Sequence, residues 1–144
     1  MDVQIKKLEE LSSAELLKIM AARIAVFVVE QQCPYQEIDS DDETAWHVWL
    51  QEGTDIAGYS RIIDKGDCIS IGRVLTTKNY RGQGYGNLLM EKTLTEIKKR
   101  YTNLSVVLSA QEYAVAFYQS FGFEVVSEVY LEDDIPHVNM KMEK

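Results

Sequence analysis

Arg81-Gly82-Gln83-Gly84-Tyr85-Gly86 sets three glycines at alternate positions between an apolar, strand-like segment and a long helix-like one. A turn of this kind leaves backbone N–H groups free where the helix begins, and the helix dipole makes that end attractive to anions. Glycine permits positive φ and a close approach of a ligand to the main chain, and Arg81 adds a fixed charge. A Walker phosphate loop is excluded, because Gly-x-x-x-x-Gly-Lys-Ser/Thr is absent. A dinucleotide fingerprint fits poorly: the third glycine falls one position early, at Gly86, and Asn87 stands in its place. The turn also follows several strands rather than opening a first βαβ unit. By itself it specifies an anion at a helix N-terminus.

Periodicity places this turn in a larger frame. Ser12 with Glu15 three positions on is a capping-box pattern, and Leu16, Ile19, Met20, Ile24, Phe27 and Val28 then recur at helical spacing. The first helix is therefore expected to run to about Gln32, before Pro34. The acidic run Glu37 to Glu43 reads as a loop or short helical turn that could attract a cation. Trp46 to Gln51, Ile56 to Ile63 and Cys68 to Thr76 read as an antiparallel meander joined by turns at Gly53 and Gly66. A second helix to about Arg100 should bury Met90, Leu94, Ile97 and Tyr101. Leu104 to Ser109 is an apolar strand able to pair parallel with the third strand of the meander. A short helix, about Gln111 to Phe121, and two strands, about Phe123 to Tyr130 and His137 to Met142, complete a mixed α/β sheet with helices on both faces. Positions 1–144 are expected to form one domain, a size that needs no metal or disulfide to fold.

The formal charge of −8 argues against nucleic acid, which a basic face would normally meet. Cys33 and Cys68 are not spaced as metal ligands, and reduced thiols are expected of both. No apolar run spans a bilayer, and the N-terminus lacks the order of a signal peptide. These features predict a cytoplasmic protein with no membrane partner and no metal.

Arg81, Gly84 and Gly86 match the pyrophosphate loop Arg/Gln-x-x-Gly-x-Gly/Ala, and Phe117-Tyr118 precedes Gly122-Phe123 as an aromatic pair before Gly-Phe. With both motifs on the expected elements, the chain resembles the GNAT superfamily of acyl-CoA N-acyltransferases along essentially its whole length. Val26 to Gln31, Cys33-Pro34-Tyr35, Ile71 to Val74, Tyr118 to Phe123 and Ile135-Pro136-His137 are similar to the ElaA-like branch. One departure is visible: Thr77-Lys78-Asn79 stands where many members carry a proline, so the chain should reach the loop by a slightly different path.

The resemblance implies a GNAT fold whose mostly antiparallel sheet splays at the cofactor site, with acetyl-CoA as acyl donor. It implies that the backbone of Val74, Leu75 and Thr76 pairs with the pantetheine arm as an added strand would. Arg81, Gly82, Gln83, Gly84, Tyr85 and Gly86 would hold the pyrophosphate, with Gln111, Phe117 and Tyr118 also at the cofactor. Tyr118 would be the catalytic acid that assists thiolate departure, while Phe117 packs toward the core. The acceptor would be a primary amine of a small molecule or peptide, taken up directly by a monomer or homodimer. In such a fold the acceptor groove is built by the end of the first helix, the following loop and the last two strands; a base must deprotonate the amine there, and Glu30, His47, Glu128 and His137 all remain candidates. A covalent intermediate is not required; Cys33 is the one possible nucleophile near the groove. The competing expectation is a non-catalytic module that binds acyl-CoA as a sensor.

Overall fold

The computed structural model describes residues 1–143. Eight strands form one sheet in the order β1-β2-β3-β4-β5-β8-β6, with β7 also on β8. They are β1 (Asp2–Lys7), β2 (Trp46–Glu52), β3 (Asp55–Asp64), β4 (Cys68–Thr76), β5 (Ser105–Gln111), β6 (Glu124–Val125), β7 (Tyr130–Glu132) and β8 (Ile135–Met142). All pairings are antiparallel except β4 with β5. That single parallel pair follows from the helix between its strands, because a parallel return needs a crossover.

Helix α1 (Ser13–Ile24) begins as its capping box predicts. Ser12 Oγ accepts the Glu15 N–H at 3.0 Å, and Glu15 Oε1 accepts the Ser12 N–H at 2.9 Å. The helix continues as a π-helical segment, Ala25–Glu30. Its buried face runs through Ile19, Arg23 and Val26, whereas Ile24, expected inward, is largely exposed. Arg23 takes the inward position because its charge is fully paired.

Helix α2 (Tyr85–Arg100) packs Leu89, Met90 and Ile97 against Val48, Leu50 and Ile62 on one face of the sheet. Ile19 and Val26 cover Trp49, Tyr59 and Leu75 on the other. Leu94 and Tyr101 are only partly buried; Thr93 and Glu96 take buried positions instead. Helix α3 (Val115–Gln119) is shorter than expected, because its first turn is a 3-10 turn, Glu112–Ala114. The expected strand from Phe123 to Tyr130 is divided into β6 and β7. Between them Val126 and Val129 face outward, and Ser127 Oγ takes the Asn139 N–H, so the segment bows off β8.

The acidic run proves to be neither a plain solvated loop nor a free anionic surface. Glu37 accepts from Arg23 at 2.6 Å and from Arg73 at 3.0 Å. Asp42 accepts from Arg23 at 2.6 Å and from Arg61 at 2.9 Å, and Asp39 from Arg61 at 2.7 Å. Three arginines, from α1, β3 and β4, thus neutralise three carboxylates of one loop. Charges this buried persist only when paired and hydrogen-bonded. Burial opposes ionisation of Asp42, but Arg23, the Asp39 amide and Arg61 outweigh it and hold the carboxyl down to about 2.

Candidate active site

The pairing of β4 with β5 stops early. Cys68–Ile71 lie beside Ser105–Leu108, and beyond Ile71 and Leu108 the two strands part. A bulge in β4 accompanies the break. Tyr59 pairs with Leu75 and Arg61 with Gly72, so two residues of β4, Arg73 and Val74, oppose Ser60 alone. Bulges bend the strand that carries the extra residue. Here Arg73 adopts φ +53°, in the left-handed region disfavoured for a side-chain-bearing residue. Its guanidinium is tied to Glu37 through Nε and through a 2.9 Å bond from Nη2 to the Glu37 carbonyl. The same Glu37 accepts the Tyr35 hydroxyl. The ionic cluster under the sheet therefore supports the bend that opens it.

Between the parted strands lies a cavity of about 590 Å³. Val74, Leu75 and Thr76 line it from β4, Gln111 from the end of β5, and Tyr118 from α3. Arg81 stands at its mouth; its Nε donates to the Thr76 carbonyl at 2.9 Å and its Nη2 meets Glu30 at 2.6 Å. This pair is largely exposed, and such pairs are weak enough for a more highly charged anion to displace.

Of the other motif residues, Gly82, Gln83, Gly84, Tyr85 and Gly86 do not line this cavity; they form the turn beside it. Gly82 and Gly84 have φ of +73° and +83°, and Gly84 caps α2 in the left-handed conformation. Gly86 has no such requirement. A methyl group there would touch the Phe117 ring and Thr76 Oγ1 at 3.6 Å, so Gly86 allows close packing instead. Phe117 is thus a packing residue between α2 and α3, stacked edge-on with Phe121 at 5.3 Å. The path into the turn lacks a proline, but Thr77 substitutes a tether: its hydroxyl donates to the Ile56 carbonyl at 2.7 Å.

Tyr118 is 8% exposed and has its ring edge against Phe117 and Phe123. Burial pushes its phenol well above the ordinary range, with Tyr113 adding to the shift. Its hydroxyl is held in the protonated form, which can give a hydrogen bond or a proton to a departing anion.

The far wall of the cavity comes from the β7–β8 hairpin and from Cys33. Asp133 and Asp134 turn the hairpin at φ +51° and +64°, as a two-residue loop of mirror-image type requires. Cys33 Sγ lies 3.5 Å from the Asp133 carbonyl. Burial and the nearby Asp133 and Asp134 carboxylates raise the thiol's pKa, which opposes a nucleophilic thiolate. Both cysteines are free. His137, Glu132 and Asp133 complete this wall; the last two strands and His137 were expected at the acceptor groove, whereas Glu132 and Asp133 were not singled out, because only the hairpin register sets them beside it. Among the described residues no group of three His, Cys, Asp or Glu side chains is placed to hold a metal ion, and no helix is long and apolar enough to cross a membrane.

Comparison with known proteins agrees with this geometry. Residues 8–144 match the family model described as "Acetyltransferase (GNAT) domain". The sequence is 43% identical to protein ElaA of Escherichia coli (strain K12) over 139 residues, covering 93% of this chain and 91% of that protein. The crystal structure of Escherichia coli ElaA superposes with a TM-score of 0.95 at 41% identity, covering 99% of this chain and 100% of that one. An acyl-CoA N-acyltransferase from Pseudomonas aeruginosa superposes with a TM-score of 0.93 at 39% identity, over 98% of both chains. The parted sheet, the glycine turn and these likenesses place the chain in the GNAT acetyltransferase family, in its ElaA-like branch.

Proposed function

We propose that the protein moves an acetyl group from acetyl-CoA to a primary amine of a small-molecule or peptide acceptor, by direct attack with both substrates bound. The parting of β4 from β5 beyond Ile71 and Leu108, with Tyr118 facing the gap, carries this reading. An amide-bearing pantetheine arm fits such a gap as a strand would, taking the main-chain bonds that β5 no longer supplies to Val74, Leu75 and Thr76. The free N–H groups from Gly82 to Gly86 and the Arg81 side chain would take the pyrophosphate. On binding, Arg81 would exchange Glu30 for the phosphates.

The amine attacks the thioester carbon while β4 N–H groups stabilise the oxyanion. Collapse of the adduct forms the C–N bond and breaks the C–S bond. Tyr118 supplies the proton that lets the sulfur leave as a thiol. The amine side of the cavity carries Glu132 and Asp133, whereas Arg73 and Arg81 are already paired with Glu37 and Glu30. That balance suits a cationic acceptor better than one bearing a carboxylate.

A thiol-release assay with acetyl-CoA and a panel of polyamines, amino acids, aminoglycosides and lysine peptides tests the proposal. Amine-dependent release with an N-acetylated product is expected. Tight CoA binding without turnover on any amine would instead identify a sensor module.

A further inference from the structure

Four side chains were open to the role of general base, and the fold separates them. His47 is fully buried outside the cavity lining, with Nδ1 on the Tyr59 hydroxyl at 2.6 Å and Nε2 on the Asp42 carbonyl at 3.1 Å. Glu128 is exposed and does not line the cavity. Glu30 lines it beside Arg81, at 2.6 Å, at the end proposed for the pyrophosphate rather than for the amine. His137 lines it, is nearly buried, and its ring is oriented by the main chain.

That orientation decides its tautomer. His137 Nδ1 lies 2.7 Å from the Ile135 carbonyl. A carbonyl only accepts, so Nδ1 carries the hydrogen and the neutral ring keeps its lone pair on Nε2. Nε2 has the Glu132 carboxylate at 3.6 Å. Tyr130 stacks on the ring at 6.1 Å, and Gln111 sits opposite in the β5–β8 register. The arrangement is a base fixed on one side by a carbonyl and supplied on the other with a countercharge for its protonated form.

We propose that His137 is the general base of the transfer: its Nε2 takes a proton from the acceptor ammonium, and Glu132 is a positioning residue that stabilises the imidazolium. The assignment rests on the acyl-transfer reading above. The ammonium gives its first proton to Nε2, which passes it to solvent. The neutral nitrogen then forms the C–N bond and the C–S bond breaks. The second nitrogen proton, lost from the adduct, returns through solvent to the Tyr118 phenolate left when the sulfur took its proton. One proton is released per turnover, and CoA leaves as the thiol.

The test compares wild type with His137→Asn and Glu132→Gln, using an alkyl amine that supports thiol release, between neutral and alkaline pH. The titratable groups facing the ring are Glu132 and Tyr130, with Cys33 and Asp133 on the same wall. In H137N, kcat/KM at neutral pH is expected to fall ~10²–10⁴-fold with CoA affinity unchanged. The defect should shrink as pH rises, because the amine then loses its proton unaided. A neutral-pH rate within about threefold of wild type, or a defect equal at every pH, would overturn the assignment. If H137N fails to bind CoA, Glu132→Gln decides. Its exposed side chain is not needed for folding, and a loss of about tenfold with intact CoA binding is expected; a wild-type rate would refute the proposal. A wild-type protein that acetylates no amine at all would refute the acyl-transfer reading and this assignment together.

Discussion

Replacing Tyr118 with phenylalanine removes one oxygen and leaves the ring packing against Phe117 and Phe123 in place. If the phenol protonates the leaving sulfur, kcat should fall ~10²–10⁴-fold. The dissociation constant for CoA and the melting temperature should hardly move, and steady-state kinetics with calorimetry would show it. The place of Tyr118 on the cavity was legible in the sequence because a motif marks it. Arg23 could have been found as well, since a charge at i+4 from Ile19 and i−3 from Val26 lies on the apolar stripe and demands partners. The partners, the carboxylates of Glu37 and Asp42, 14 and 19 residues on, were visible as composition but not as geometry. Which carboxylate meets which arginine depends on the β3–β4 register, and no local pattern encodes that.

Among elements, the parted strands depend on close backbone packing as well as on the bulge. A methyl group at Gly58 would lie 3.3 Å from the Leu75 carbonyl, a tight approach to main chain, while making ordinary contact with Leu89 and Leu50. Gly58→Ala should therefore cost about 1–3 kcal/mol. It should also weaken acetyl-CoA binding by shifting the β4 edge; a urea titration and a CoA titration measure the two effects. By contrast Ser12→Ala touches only the cap of α1 and should cost about 0.5–2 kcal/mol with CoA affinity unchanged. The meander, its turns and both long helices were legible because period and turn chemistry agree there. The hairpin end was not. Val126 and Val129 have strand-like composition but face outward, and a pattern of apolar residues cannot say that Ser127 has taken an N–H from β8. The last two strands were expected to help build the acceptor groove, with His137 on them, but the division into β6 and β7 that puts Glu132 rather than Glu128 on the wall was hidden for that reason.

For the whole molecule, the buried ion cluster makes stability depend on pH. Asp42 has its carboxyl depressed from 3.8 to about 2 in the fold. A depressed acid stabilises the fold above its unfolded pKa, and that contribution is lost as pH falls through the folded value. Asp42 thus contributes about 2 kcal/mol above pH ~4 that disappears by pH ~2. His47 acts earlier. Burial lowers its pKa, so below about pH 6.5 the unfolded chain binds a proton that the folded chain refuses, and stability begins to decline there. Urea midpoints should therefore fall from neutral pH toward pH 5 and fall again below pH 4; a flat profile would contradict both assignments. Asp42→Asn leaves Arg23 and Arg61 short of a countercharge and should cost about 3–5 kcal/mol at neutral pH.

The claim on which function depends is that the gap between β4 and β5 receives the cofactor. Amide hydrogen exchange with and without saturating acetyl-CoA tests it directly. Protection should appear at amides of Val74 to Thr76, where β4 has no strand partner on the β5 side, and at Gly82 to Gly86 in the turn that opens α2. Unchanged exchange in both segments, with protection arising elsewhere, would contradict it.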